Sequence, residues 1–275
     1  MKKFSQSIIS FLRTNKHLEI LAYLIQNYFN FNHQGRGSFA KHPETMHEHF
    51  KDLSENYVNQ LGPQAFSQKV ILELGTGFSR SGMLHLIKLY DVKKVYCYDK
   101  FNCLHRNELD IIKREGLDSY MDRLVYIVGD YNKIVKHVDT NSVDTILSNA
   151  VLEFVSDLEG LAKVLGSVAK TNAVSFHKVD LKCHNKFKAS GELYFHTFSD
   201  RLWKAMGERV GQLSRRLPFE YVRIFEDNSF TCRTAEKKFS KECLLEAKSY
   251  LDSEDIEKYS TSDLDLFLKK SNAPN

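Results

Sequence analysis

From residue 69 onward, short apolar segments alternate with segments of helical periodicity, and this rhythm constrains the fold more than any other feature. Val70-Ile71-Leu72-Glu73-Leu74 reads as a buried strand, and residues 81–90 read as a helix. A second strand covers 94–99, followed by a helix over 107–115. A third strand covers 124–128, and a helical piece at 131–137 precedes a fourth at 143–148. Residues 157–169 read as helix and 173–179 as a fifth strand. Strands that are apolar on both faces and separated by helices predict a mostly parallel sheet covered on both sides. Its crossovers should be right-handed.

The flanks differ. Residues 198–212, 218–227 and 241–251 read as helices, and 230–234 as a strand. Residues 263–268 alternate with period two, a half-exposed strand expected to pair antiparallel at one side of the sheet. At the other end, Ile8, Ile9, Leu12, Leu18, Leu21, Leu24, Ile25 and Tyr28 recur at helical spacing. A Gly-rich loop over 31–45 and a helix over 46–61 follow, ended by Gly62-Pro63. The expected organisation is a helical extension over 1–64 and an α/β core over 65–275, with a substrate-side insertion at about 180–218. The extension either caps the ligand pocket or packs against the core.

The first strand runs into Gly75-Thr76-Gly77-Phe78-Ser79-Arg80-Ser81-Gly82. Glycine at a strand-to-helix turn lets the backbone bend tightly and approach a ligand closely. Beyond it, helix N-terminal N–H groups favour anions. Glu73 precedes the turn, and a carboxylate at the end of a buried strand is costly without a partner. A bound cation or an amine would supply one. Asp99 ends the second strand, 22 residues after Gly77, a spacing that suits a carboxylate bridging two ribose hydroxyls. Asp130 follows the third strand, where it can accept from an exocyclic adenine amine with Tyr131 beside it. Each acid alone is as readily a helix cap. Three in succession behind one glycine turn point to a nucleoside site, because ligands of such sheets bind outside the carboxyl ends of the strands.

Composition excludes several classes. Hydrophobic residues make up 42% and charged residues 27% of the 275, as in a globular protein, and only 4 Pro and 13 Gly argue against a fibrous or low-complexity chain. No apolar run reaches the ~18 residues of a membrane span. The basic tip Met1-Lys2-Lys3 is not followed by a continuous apolar stretch, so a cytoplasmic protein is expected. A net charge of +4 suits an anionic partner but argues against nucleic acid, whose binders are more strongly basic. Cys97, Cys103, Cys183, Cys232 and Cys243 form no CxxC pair, which suggests reduced thiols and neither zinc cluster nor disulfide framework. His42, His47 and His49 have no supporting Cys or acid arrangement, and no metal is expected. Nothing in the sequence fixes an oligomeric state.

Residues 70–77 resemble the first motif of the class I S-adenosylmethionine-dependent methyltransferases. Residues 143–155, ending Val151-Leu152-Glu153-Phe154-Val155, are similar to that family's fourth-strand motif. The resemblance covers roughly 65–270 and implies a Rossmann-like seven-stranded sheet with helices on both faces, its last strand antiparallel, as 263–268 would be. It implies S-adenosyl-L-methionine as cofactor. By resemblance, Glu73, Gly75 and Gly77 line the methionine end, with Thr76 between them. Asp99, followed by Lys100, holds the ribose, Asp130 with Tyr131 meets the adenine, and Asn149 lies beneath the cofactor. Segments 194–203, 215–217 and 225–230 also look like bacterial members linked to sugar or polysaccharide modification. Phe154 departs from the pattern, since many relatives carry His there.

Such a cofactor brings the activated methyl group, and the protein aligns the acceptor and excludes water. A hydroxyl acceptor also gains from a general base. His177, Asp180 and His184 follow or end the fifth strand and are the candidates, with His196 further on. His177 is expected at the strand end, near the pocket mouth. The function expected is O-methylation of a small molecule or a carbohydrate precursor. A non-catalytic cofactor-binding or scaffold protein is the alternative. A nicotinamide-dependent oxidoreductase is disfavoured, because Gly82 falls too late to be the third fingerprint glycine.

Overall fold

The computed structural model describes residues 15–29, 44–184, 186–207 and 212–271. The expected helical turns before residue 15, most of the loop over 31–45, and His42 lie outside the described residues.

Seven strands form one sheet: β1 (Val70–Leu74), β2 (Lys94–Asp99), β3 (Leu124–Val128), β4 (Val143–Asn149), β5 (Ala169–Asp180), β6 (Phe230–Lys238) and β7 (Thr261–Lys270). Their order is β3-β2-β1-β4-β5-β7-β6. The first five pair in parallel, while β7 runs antiparallel to both β5 and β6. Strand β7 therefore lies between two strands, inside the sheet, and not at its side. Its alternation still fits: Leu264, Leu266 and Leu268 are buried on one face.

Alternating side chains split the core into two layers. Ile71, Val95, Leu147 and Phe176 pack with α2 (Glu44–Leu61) and α3 (Ser81–Tyr90), through Tyr57, Val58, Met83 and Leu84. Tyr57 meets Phe176 edge-on at 6.2 Å between ring centroids, so α2 packs directly over the sheet. Leu72, Leu74, Ile146 and Val179 pack on the opposite face with α6 (Leu158–Val168) and α8 (Pro218–Glu226). Between these, α4 (Glu108–Arg114) follows β2 and the short α5 (Ile134–His137) follows β3.

A third apolar cluster stands apart from the sheet. Ile20, Tyr23 and Leu24 of α1 (Lys16–Tyr28) pack on Phe187, Phe195, Trp203 and Met206, the last two in α7 (Asp200–Gly207). The expected helix over 198–212 is described only as far as residue 207, since 208–211 lie outside the described residues. The expected helix over 241–251 ends at Ala247 as α9 (Lys241–Ala247), and α10 (Ser253–Lys258) follows, capped by the Asp252 side chain. Among the described residues, no helix is long and apolar enough to cross a membrane.

Candidate active site

The carboxyl ends of β2 and β4 meet the glycine turn that leaves β1. Gly75 and Gly77 have φ of 73° and 69°, the left-handed region that other residues adopt only with strain. The N–H groups of Gly75 and Thr76 both donate to the Tyr98 carbonyl, at 2.7 and 3.2 Å, which ties the turn to the end of β2. A Cβ on Gly75 would lie 2.2 Å from Val151 Cγ2, so the placement of Val151, two residues past β4, depends on that missing side chain. Phe50 of α2 lies over the turn, 3.6 Å from where a Cβ on Gly77 would stand. A Cβ on Gly82 would lie 2.4 Å from the Phe50 carbonyl oxygen. Gly82 therefore serves helix-on-helix approach.

Glu73 is buried, 4% exposed, on the face shared with Ile71 and Cys97. The Cys97 thiol donates to its Oε2 at 3.7 Å, and no cation pairs with it among the described residues. Burial pushes its carboxyl up to about 7, with the Thr76 hydroxyl and the Cys97 thiol opposing the shift. Asn149 ends β4 on the same face, two residues beyond Leu147, which is opposite Glu73.

Asp99 ends β2, and each of its carboxylate oxygens holds one backbone N–H: Gly77 at 2.9 Å and Phe101 at 3.1 Å. Burial raises its carboxyl, and those N–H groups oppose the rise. A carboxylate oxygen accepts two hydrogen bonds, so Asp99 keeps capacity for two more donors. Lys100 is exposed, its ammonium 5.5 Å from the Phe101 ring. Asp130 is exposed after β3 and caps the next turn, accepting from the Asn132 N–H at 3.0 Å and its side-chain amide at 2.7 Å. The Tyr131 hydroxyl donates to Asp157, which itself caps α6. The structure thus brings Glu73, Asp99 and the two glycines together and sets Asp130 and Tyr131 at the next strand end.

Of the three candidates around β5, His177 stands apart from Asp180 and His184. Strand β5 runs three residues past His177, which places that ring inside the sheet and not at the pocket mouth. His177 is 0% exposed, shares a 2.7 Å hydrogen bond with Ser148, and stacks on Phe225 at 5.7 Å. Burial lowers it to about 3, so it stays neutral near pH 7 and takes no proton there. This corrects the expectation of a base at the strand end.

Asp180 does end β5, and it faces His184, whose Nε2 lies 3.6 Å from its Oδ2. The same nitrogen lies 3.7 Å from Glu153 Oε1. The Phe154 ring meets His184 edge-on at 5.1 Å, so the loop after β5 brings an imidazole against Phe154. A cleft open to solvent lies here between Glu153, Asp180, His196, Arg215, Arg216 and Tyr259. Glu153 is not among the residues the sequence marks as candidates. The available signal was an acid set in the otherwise apolar run of 151–155.

The sequence matches no protein-family model and no curated protein. Solved structures do match. One is a geranyl diphosphate C-methyltransferase from Streptomyces coelicolor A3(2) with Mg2+, geranyl diphosphate and S-adenosyl-L-homocysteine: 14% identity, TM-score 0.53, over 80% of this chain and 78% of that one. A geranyl diphosphate methyltransferase in complex with S-adenosylmethionine gives 14% identity and a TM-score of 0.54 over 87% of this chain and 93% of that one. A third is phosphoethanolamine N-methyltransferase 2 from Haemonchus contortus, with 14% identity and a TM-score of 0.53; 80% of this chain covers 53% of that enzyme, about half its length. The chain has the Rossmann-like fold of these methyltransferases.

Proposed function

We propose that the chain is an S-adenosyl-L-methionine-dependent methyltransferase acting on a small molecule. The observation that carries this reading is the succession of Glu73, Asp99 and Asp130 at the ends of β1, β2 and β3 around the Gly75–Gly77 turn. The sheet order and the matched structures support it.

The residues fit the cofactor. Gly75 and Gly77 hold a left-handed turn that other residues reach only with strain, so the backbone itself can face the ligand. Asp99, pre-oriented by two N–H groups, keeps acceptor capacity for the ribose hydroxyls. Glu73 is a buried carboxyl without a cation, suited to the amine of a methionine moiety. Asp130 and Tyr131 would flank the adenine, with Lys100 and Asn149 at the neighbouring strand ends. Thr76 would sit between Glu73 and the cofactor. The group supplies an activated methyl when bound. The chain's own task is to hold it, orient the acceptor and exclude water. Phe50 supports a capping role for the extension before residue 64, since it covers the glycine turn.

For the acceptor, O-methylation of a hydroxylated small molecule, a carbohydrate precursor among them, is the reading we favour. Thermal-shift measurements with S-adenosylhomocysteine and with NAD test the cofactor class. Stabilisation by S-adenosylhomocysteine alone is expected, and stabilisation by NAD alone would contradict the proposal.

A further inference from the structure

Glu153 is a buried carboxyl that no side chain hydrogen-bonds. It is 1% exposed, and its side-chain oxygens meet no side-chain donor within hydrogen-bond distance. A buried polar group left unpaired is costly, and in native proteins it calls for an explanation such as a ligand. The carboxyl lines the cavity beyond the β4 and β5 ends, so a ligand could reach it. Behind it, His184 Nε2 lies within 3.7 Å of Glu153 Oε1 and 3.6 Å of Asp180 Oδ2, and His184 is 27% exposed at its side chain.

We propose that this cavity is the acceptor pocket, that it takes a hydroxyl in preference to an amine, and that Glu153 receives the hydroxyl proton. The proposal rests on the methyltransferase reading. The charges around the cavity set the preference. Arg215, Arg216 and Lys258 line it as cations against Glu153 and Asp180; outside the lining, Arg215 pairs with Asp200, Arg216 reaches Glu159 at 3.8 Å, and Asp180 is held against Lys182 at 2.9 Å. An ammonium entering there meets like charges, whereas a neutral or anionic hydroxyl compound does not.

Burial pushes the Glu153 carboxyl up to about 8; the backbone N–H groups of Glu153 and Asp180 oppose the shift, the Asp180 carboxylate adds to it, and Lys182 opposes it. A carboxyl poised there exchanges a proton near neutral pH, as a general base requires. The balance is simple. The acceptor oxygen gains a bond to the methyl carbon, the carbon–sulfur bond breaks with its electron pair left on sulfur, and the hydroxyl proton passes to Glu153. His184 then relays that proton to solvent.

The test needs neither turnover nor a bound cofactor. Carboxyl carbons of glutamate-labelled protein are titrated by 13C NMR, alone, with phenol, and with benzylamine as probes. One signal should titrate near pH 8, vanish in Glu153→Gln, and move with millimolar phenol but not with benzylamine. Should Glu153→Gln fail to fold, Glu153→Asp provides the assignment by removing the same signal. A midpoint in the ordinary glutamate range, indifference to phenol, or a response to benzylamine overturns the proposal. Calorimetry of S-adenosylhomocysteine on the wild type separates the two failures: absence of binding sinks the methyltransferase reading, whereas binding with an unresponsive Glu153 sinks only the pocket assignment.

Discussion

Asp99 Oδ2 accepts the Gly77 N–H at 2.9 Å, so the carboxylate at the end of β2 fixes the turn that leaves β1. The side chain read as a ribose ligand is thus also a structural clamp. The two roles are compatible, because each carboxylate oxygen carries two lone pairs. Prior fixing lowers the ordering cost of binding a nucleoside.

Asp99→Ala should therefore weaken S-adenosylhomocysteine binding by ~1–3 kcal/mol, since donors on both the ligand and the turn lose their acceptor. Asp99→Asn keeps one oxygen for Gly77 and should lose less. Calorimetric titration reads both, and an unchanged affinity in Asp99→Ala would contradict the ribose assignment.

Gly75→Ala forces an L residue to φ 73° and drives its Cβ to 2.2 Å from Val151. Strain and overlap together should cost ~2–4 kcal/mol of stability. Adding Val151→Ala removes the overlap but not the strain, so the double variant should recover only part of the loss. Urea denaturation of the three proteins checks this, and full recovery would show that the backbone conformation was never limiting.

Glu73 links stability to pH. Its folded carboxyl titrates near 7, against a usual value of 4.5. The folded state then binds more protons than the unfolded state across that interval, and stability declines as pH rises through it. The contribution is fully present below pH 4.5 and falls by roughly 3 kcal/mol by pH 7. Glu73→Gln should gain stability relative to wild type over the same window. Denaturation at pH 4.5, 6 and 8 would show a constant difference if Glu73 were instead paired and ionised throughout.

His177→Ala removes a ring held by Ser148 and stacked on Phe225. Loss of a fully buried ring should destabilise the protein by ~2–4 kcal/mol while leaving cofactor affinity unchanged. Equilibrium unfolding and calorimetry measure the two separately. A stable variant would argue that the ring is not a core element.

The parallel half of the fold was legible because its signal is local. Each of β1 to β4 is a short apolar run bounded by turns, and the three acids at the strand ends can be counted along the chain. Strand β5 begins four residues before the expected 173, because Lys170, Thr171 and Asn172 near its start are polar and at least partly exposed and carry no apolar signal. Strand β7 showed its alternation, but its place between β5 and β6 depends on pairing partners remote in sequence. His177 lies inside the strand and not at its end for a related reason. Period two puts it with Ser175 and Val179, yet only the arrival of α8, with Phe225, decides that this face is sealed. The cavity was illegible because Glu153, Asp180, Arg215 and Tyr259 meet only in three dimensions.

The most direct check on the account is a crystal structure of the protein grown with S-adenosylhomocysteine. The nucleoside should span the tips of β1, β2 and β3, with its ribose on Asp99 and its amino acid end toward Glu73. A complex that leaves those tips bare, or that places the compound elsewhere, would contradict the claim that this crevice binds the cofactor.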